Sequence, residues 1–343
     1  MKKTVDVDRL KIGVVGAGSW GTAIANLLGD KGFKVHLWAF EKEIFQEIYE
    51  VKENKTFLPS ISLSPNIIPS NDLAEVVSEK DLIILVVPSQ HMREISSAMA
   101  GYVSKNAIVV SASKGIENKT HLRMTGILRE TLPISKRSIA VLSGPTFAKE
   151  VAMKVPSVVT VAAKSLEIAI FIQNVLATSY FRVYTSNDIV GVELGGAVKN
   201  VIAIATGISD GLGLGLNTRA AIVTRGQTEI RRLGLKLGAN PRTFTGLAGI
   251  GDLVLTCTGD LSRNHTVGKK IGEGKKLQDI LSEMRMVAEG VKTSKSVYNL
   301  SKKKKVDMPI SHTVYRVLYE DLLPKDAVYQ LMTRDLKNEL DEY

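Results

Sequence analysis

Residues 12–28, IGVVGAGSWGTAIANLL, join a short β-branched run to a segment with apolar residues at helical spacing, through a turn built on Gly16, Gly18 and Gly21. In a strand that ends in G-x-G-x-x-G and leads straight into a helix, each glycine has its own purpose. Gly16 permits the tight turn, Gly18 lets a pyrophosphate approach the backbone, and Gly21 lets helix and strand pack closely. The helix N-terminus then turns its free amides toward the anion. The stretch predicts a dinucleotide site at the first strand of an α/β sheet, with Ser19 and Trp20 inside the same turn.

Outward from this turn, short β-rich runs alternate with helix-length amphipathic segments. Strands are expected at Ile12–Gly16, Val35–Ala39, Leu82–Val87, Ala107–Ala112, Ser138–Leu142, Ser157–Ala163 and Phe181–Thr185, with helices such as Trp20–Lys31 and Leu166–Ala177 between them. Such alternation predicts a doubly wound, mainly parallel sheet covered by helices. After Asn187 the β-rich runs almost vanish, and breaks such as DGLGLGLN and TGDLSRN separate helical stretches. The expected class is therefore α/β followed by an all-α domain, divided as 1–188 and 189–343, with substrate bound between the two units.

Composition bounds what such a chain does. At 343 residues, 44% apolar and 23% charged, it has the balance of an ordinary globular protein with two cores. The basic start MKKT is followed at once by Asp6, Asp8, Arg9 and Lys11, which argues against a secretory signal and for a cytoplasmic protein. Glu193 and Lys199 interrupt the longest apolar run, Ile189 to Ile208, so no membrane span is expected. One cysteine, Cys257, and five scattered histidines, His36, His91, His121, His265 and His312, offer neither a disulfide framework nor a metal-ligand spacing. A formal charge of +10 fits nucleic-acid binding and fits equally an enzyme whose substrate and cofactor carry phosphate. The run Lys302–Lys305 lacks interleaved aromatics and reads as a solvated helix end, and no nucleic-acid partner is expected.

Dinucleotide preference is usually written after the second strand, here WAFEK at 38–42. Glu41 suits the ribose hydroxyls of NAD, Lys42 tolerates the extra phosphate of NADP, and Phe40 flanks the adenine, so the cofactor is NAD or NADP. Hydride transfer to a ketone also needs a proton donor for the developing alkoxide, and the reverse reaction a base in the same place. Lys199 is the candidate: it lies in the apolar helical run GVELGGAVKNVIAIATG, where burial lowers an ammonium pKa toward neutrality. Gly195 and Gly196, one turn earlier, leave room for a ligand to approach that face.

The segment at 246–264, GLAGIGDLVLTCTGDLSRN, gathers Asp252, Thr256, Arg263 and Asn264: Asp252 suits as a partner for Lys199, and Arg263 and Asn264 as donors to a phosphate dianion. Two loops at strand carboxyl ends, SASKG and SGPTFAKE, add Lys114, Gly144 and Thr146, although the second reads equally as a helix start with Pro145 near its first turn. Tyr298 and Lys302 mimic the Y-x-x-x-K of short-chain dehydrogenases, but they lie in the α-rich half and the glycine spacing at residue 16 is not that family's. Residue chemistry leaves open a hydroxy-acid dehydrogenase of similar build or a dinucleotide-sensing regulator.

The ordered strings GAGSWGTAIA, VPSQ, SASKGIE, SGPTFAKEV, ELGGAVKNVIAIATGISDGLGLGLNTRAAIVTRG, GLAGIGDLVLTCT and SRN resemble the bacterial-type NAD(P)-dependent glycerol-3-phosphate dehydrogenases along nearly the whole chain. The resemblance implies a Rossmann-like domain, an α-helical domain, a homodimer, a small phosphorylated substrate and a role in supplying glycerol 3-phosphate for phospholipid synthesis. It implies Lys199 as the proton acceptor beside Asp252 and Thr256, with Lys114, Gly144, Thr146, Asn200, Ser262, Arg263 and Asn264 at the substrate. Gly16, Gly18, Ser19, Trp20, Gly21, Phe40, Lys114, Ala148, Arg263, Val287 and Glu289 would line the dinucleotide. Where many relatives carry a basic pair after the second strand, this chain has Phe40-Glu41, which departs from strict NADPH preference.

Overall fold

The computed structural model describes residues 9–339. Residues 1–8, on which the cytoplasmic reading leaned, lie outside the described residues. Eight strands form one sheet: β1 (Ile12–Val15), β2 (Val35–Trp38), β3 (Ile67–Ser70), β4 (Leu82–Leu85), β5 (Ile108–Ser111), β6 (Ile139–Ser143), β7 (Ser157–Ala163) and β8 (Phe181–Ser186). They lie in the order β3-β2-β1-β4-β5-β6-β7-β8, parallel throughout except between β6 and β7. The winding reverses between β1 and β4, and the crevice beyond their carboxyl ends is where such sheets bind ligands.

Burial explains why these runs are strands. β1 and β4 are buried at every position, because helices cover both faces of the sheet. Ile12 and Val14 join the core on one face, while Val15, Ile83 and Leu85 join the core on the other. At the far edge β8 alternates buried Phe181 and Val183 with exposed Arg182 and Tyr184, the period of a strand with one wet face. β3 is the strand the pattern missed: its four residues include Pro69, opposite Leu37. A proline that would break an inner strand is tolerated at this sheet edge.

Beyond β8 the chain is helical. The helix Ile189–Gly211 is long and apolar enough to cross a membrane, contrary to the expectation from its two charges, but 89% of its apolar window is buried inside the protein. It is the centre of the second core. Its charges are satisfied locally, with Glu193 accepting from Thr125 N and Oγ1 at 2.7 Å and from Arg123. Helix Arg263–Gly272 crosses it through paired glycines, Gly207 with Gly211 and Gly268 with Gly272. A Cβ at any of these would collide with a carbonyl or amide of the opposite helix. Helix Glu289–Lys304 ends in the lysine run, closed by Lys305 at φ 57°.

Candidate active site

The glycine turn behaves as its chemistry requires. Gly16 has φ 114°, and a Cβ there would lie 2.8 Å from the Val86 carbonyl of the β4 loop. Gly18 caps the helix Ser19–Asp30 with no side chain, and no acid sits in that helix's first turn. A Cβ on Gly18 would meet no protein atom within 4 Å. Internal packing does not need glycine there, so the bare backbone serves a ligand that must approach it, which fits a pyrophosphate on the free amides. Buried Asn54 locks the turn by donating to the Ala17 carbonyl at 2.8 Å and to Thr22 Oγ1 at 2.9 Å.

Around this turn lie the other residues expected at a dinucleotide. Ser19 Oγ donates to the Phe57 carbonyl at 2.6 Å and lies 3.3 Å from Met286 Sδ, which arrives from the helical unit just before exposed Val287. Trp20 and Ala148 pack against one small cluster of Ala23, Leu58 and Ala152. Phe40 is 74% exposed and meets Trp38 edge-on at 5.7 Å. Glu41 and Lys42 are exposed at the start of helix Lys42–Val51. The loop after β4 adds Ser89, whose N and Oγ donate to Glu289 at 2.9 and 2.5 Å. Burial raises the Glu289 carboxyl above its ordinary range, opposed by those two bonds and by Arg263.

Three chain segments meet at Asp252. Its carboxylate is buried, with Lys199 on one oxygen and Lys114 at 2.8 Å on the other. Lys199 also donates to Thr256 Oγ1 at 2.7 Å. The Thr256 hydroxyl donates to the Asp252 carbonyl at 2.6 Å, which leaves its lone pairs to the lysine. Lys114 reaches the Gly144 carbonyl at 3.2 Å and is the more exposed of the two amines. Burial pulls the Lys199 pKa down to about 7, Asp252 opposes this, and the nearby charge of Lys114 assists it. A buried amine poised at neutrality, held by an acid and a hydroxyl, is equipped to move a proton.

The neighbouring glycines act differently from the expectation. A Cβ on Gly195 would strike the Ala248 carbonyl, and one on Gly196 would lie 3.6 Å from Lys114 Cδ and closer still to Ser143 Oγ. Their space is filled by the protein's own loops, which brings Lys114 and Asp252 to Lys199. The SGPTFAKE loop does lead into a helix, Ala148–Ala152, which begins three residues after Pro145. Gly144 at φ 153° would press a Cβ to 2.9 Å of Val159 Cα, and the Thr146 hydroxyl donates to the Gly144 carbonyl at 3.2 Å.

The Ser262–Asn264 trio occupies the start of helix Arg263–Gly272. Ser262 Oγ accepts from the His265 amide at 3.3 Å. Asn264 Oδ1 accepts from Gly290 N at 2.9 Å, which leaves its amide nitrogen as a donor. Arg263 is exposed and, among the described residues, makes no ion pair within 4 Å. Asn200 is buried, its carbonyl against Gly290. Ser89, Asn54, Ser143 and Glu193 had no assigned place in the sequence reading. Ser89 was the one within reach, because VPSQ follows β4 at the switch point.

A doubly wound sheet with this glycine turn, followed by a helix carrying a buried lysine, defines a two-domain dinucleotide-dependent oxidoreductase. Residues 11–169 match the family profile described as NAD-dependent glycerol-3-phosphate dehydrogenase N-terminus, and residues 188–329 match its C-terminus. The chain belongs to that family. It is 56% identical over 331 residues to the glycerol-3-phosphate dehydrogenase (NAD(P)+) of Syntrophobacter fumaroxidans, covering 96% of this chain and 97% of the relative. The Geobacter sulfurreducens enzyme of the same name is 54% identical over 330 residues, 96% and 98% of the two chains. The crystal structure of glycerol-3-phosphate dehydrogenase from Coxiella burnetii superposes with TM-score 0.91 at 38% identity, covering 94% of this chain and 98% of that one.

Proposed function

We propose that the chain is a cytoplasmic, homodimeric glycerol-3-phosphate dehydrogenase that interconverts dihydroxyacetone phosphate and sn-glycerol 3-phosphate, the latter a precursor for phospholipid synthesis. Its nucleotide-binding unit is residues 1–188 and its substrate unit 189–343. The observation that carries this reading is Lys199, brought near neutrality by burial and held by Asp252, in a chain that aligns with this family over 96% of its length.

The glycine turn, Trp20, Phe40, Ala148, Val287 and Glu289 hold the nicotinamide dinucleotide, which when bound supplies or accepts the hydride. Lys199 gives its proton to the substrate oxygen as dihydroxyacetone phosphate becomes an alcohol, and takes it back in the reverse reaction. Asp252 and Thr256 fix the amine, and Asp252 balances the positive charge it carries between turnovers. Lys114 orients the substrate beside Gly144 and Thr146. Arg263 offers a planar fork to the phosphate, with Asn264, Ser262 and Asn200 completing that end of the site. The formal charge of +10 favours approach of both anionic reactants.

The test is the loss of nicotinamide absorbance with purified protein and dihydroxyacetone phosphate, with NADH and NADPH in separate cuvettes. Rapid oxidation in either is expected, and the ratio of rates reads how Phe40, Glu41 and Lys42 treat the ribose. Turnover of a non-phosphorylated hydroxy acid, with glycerol 3-phosphate left untouched, would overturn the assignment.

A further inference from the structure

We infer a second small-anion site in the helical unit, fitted to a phosphate or phosphomonoester dianion and sharing no residue with the site above. It is a cavity of ≈ 280 Å³ lined by Tyr298, Lys302, Asp307, His312, Arg316 and Arg334, among others. The pocket lies where the last turns of helix Glu289–Lys304 face helices Pro309–Tyr319 and Pro324–Met332. It gives the Tyr298-x-x-x-Lys302 pair, set aside above as a catalytic motif, a place in the molecule.

Charge is the first argument. Three cations and one acid line the cavity, and the acid is already shared. Asp307 Oδ2 lies 3.2 Å from Arg334 and 3.1 Å from Lys337. Among the described residues Lys302 has no carboxylate partner: its amine touches the Tyr298 hydroxyl and stands 4.1 Å from the centre of that ring. Arg316 spends one nitrogen on Gln330 at 2.7 Å and points its Nε toward Glu320 at 3.6 Å. A lysine without a counter-ion and two guanidinium forks around one cavity recognise a phosphate dianion better than a neutral molecule.

Rigidity is the second. Tyr298 stacks on Tyr315 with ring centres 3.9 Å apart and planes at 11°, and meets His312 edge-on at 5.1 Å. His312 Nε2 is held at 2.6 Å from Ser301 Oγ. The platform under Lys302 is therefore preorganised, which reduces the ordering cost of binding. Burial lowers the His312 pKa, Lys302 and Arg334 lower it further, and Asp307 opposes them. An anion between those cations must raise it, so His312 reports occupancy.

The experiment titrates the full chain calorimetrically with inorganic phosphate and, separately, with glycerol 3-phosphate, and follows the His312 ring protons by NMR. We expect, apart from binding of glycerol 3-phosphate at the Lys199 site, a second event that survives Arg263→Ala but weakens at least about tenfold in Lys302→Gln and vanishes in Lys302→Gln/Arg334→Gln. The His312 titration midpoint should rise with phosphate in the parent protein and stay fixed in the double variant. Equal affinity for the two ligands would mark bare phosphate as the recognised group; tighter glycerol 3-phosphate would mark a phosphomonoester. Neutralising exposed Lys164 (Lys164→Gln) controls for net charge. A phosphate event unaffected by Lys302→Gln, an equal loss in Lys164→Gln, or an unmoved His312 midpoint would overturn the site. None of these readouts depends on turnover.

Discussion

Lys199 and Lys114, 85 positions apart in sequence, grip opposite oxygens of one buried carboxylate, that of Asp252. Asp252 thus faces two ammonium groups at once. Burial and the second amine then win over the shared acid at Lys199, whose pKa falls to about 7. This arrangement makes the lysine a proton donor and acceptor in the neutral range.

The first consequence is a pair of opposite pH profiles. Reduction of dihydroxyacetone phosphate needs protonated Lys199, so kcat/KM should fall as pH rises through about 7, and oxidation of glycerol 3-phosphate needs the free amine, so it should rise through the same range. Stopped-flow rates across buffers in both directions check this. Two profiles of the same sign would remove Lys199 from the proton transfer.

Asp252→Asn removes the carboxylate that raises the Lys199 pKa. The reductive limb should move to lower pH and kcat at neutrality should drop roughly 10²- to 10⁴-fold, the usual scale for losing a placed acid. An upward shift of the limb would mean that the carboxylate is not holding the ammonium form.

Arg263→Ala should raise KM for dihydroxyacetone phosphate by about tenfold or more, because a fork contact to a dianion is lost, while kcat changes less. Steady-state kinetics with each substrate varied in turn separates the two constants. An unchanged KM for the phosphorylated substrate would sink the phosphate role.

Gly268→Val should destabilise the helical unit by about 1–3 kcal/mol or more, since its Cβ must enter the Ile204 carbonyl at the crossing of two buried helices. Chemical denaturation measures the change. Gly18→Ala is the contrast: with no protein atom within 4 Å of the added Cβ, stability should hold while dinucleotide binding weakens.

The nucleotide-binding unit was legible because its signals are local. The glycines at 16, 18 and 21 shape one short turn at fixed spacing, and buried strands such as LIIL at 82–85 are unbroken apolar runs. β3 was not legible: Ile67–Ser70 is short, contains Pro69, and is a strand only because β2 offers an edge. The Lys199–Asp252 pair was anticipated from residue types; the hydrogen bond from Lys199 to Thr256 was not. The claim of Lys114 on the same carboxylate was not, since no periodicity links a loop after β5 to a helix start 138 residues later. The same holds for Ser89 with Glu289 and for Thr125 with Glu193, pairs that close only when the two units dock. Gly195 and Gly196 pointed to close approach correctly but not to what approaches, because a missing Cβ does not say which atom fills its space.

The most direct test of Lys199 as the proton-transfer group is single-turnover reduction of dihydroxyacetone phosphate by Lys199→Ala, with dinucleotide affinity measured on the same preparation. Turnover should fall by several orders of magnitude, roughly 10³-fold or more, with dinucleotide affinity changed by less than about threefold. Retained turnover, or a loss of dinucleotide affinity that matches the loss of rate, would contradict it.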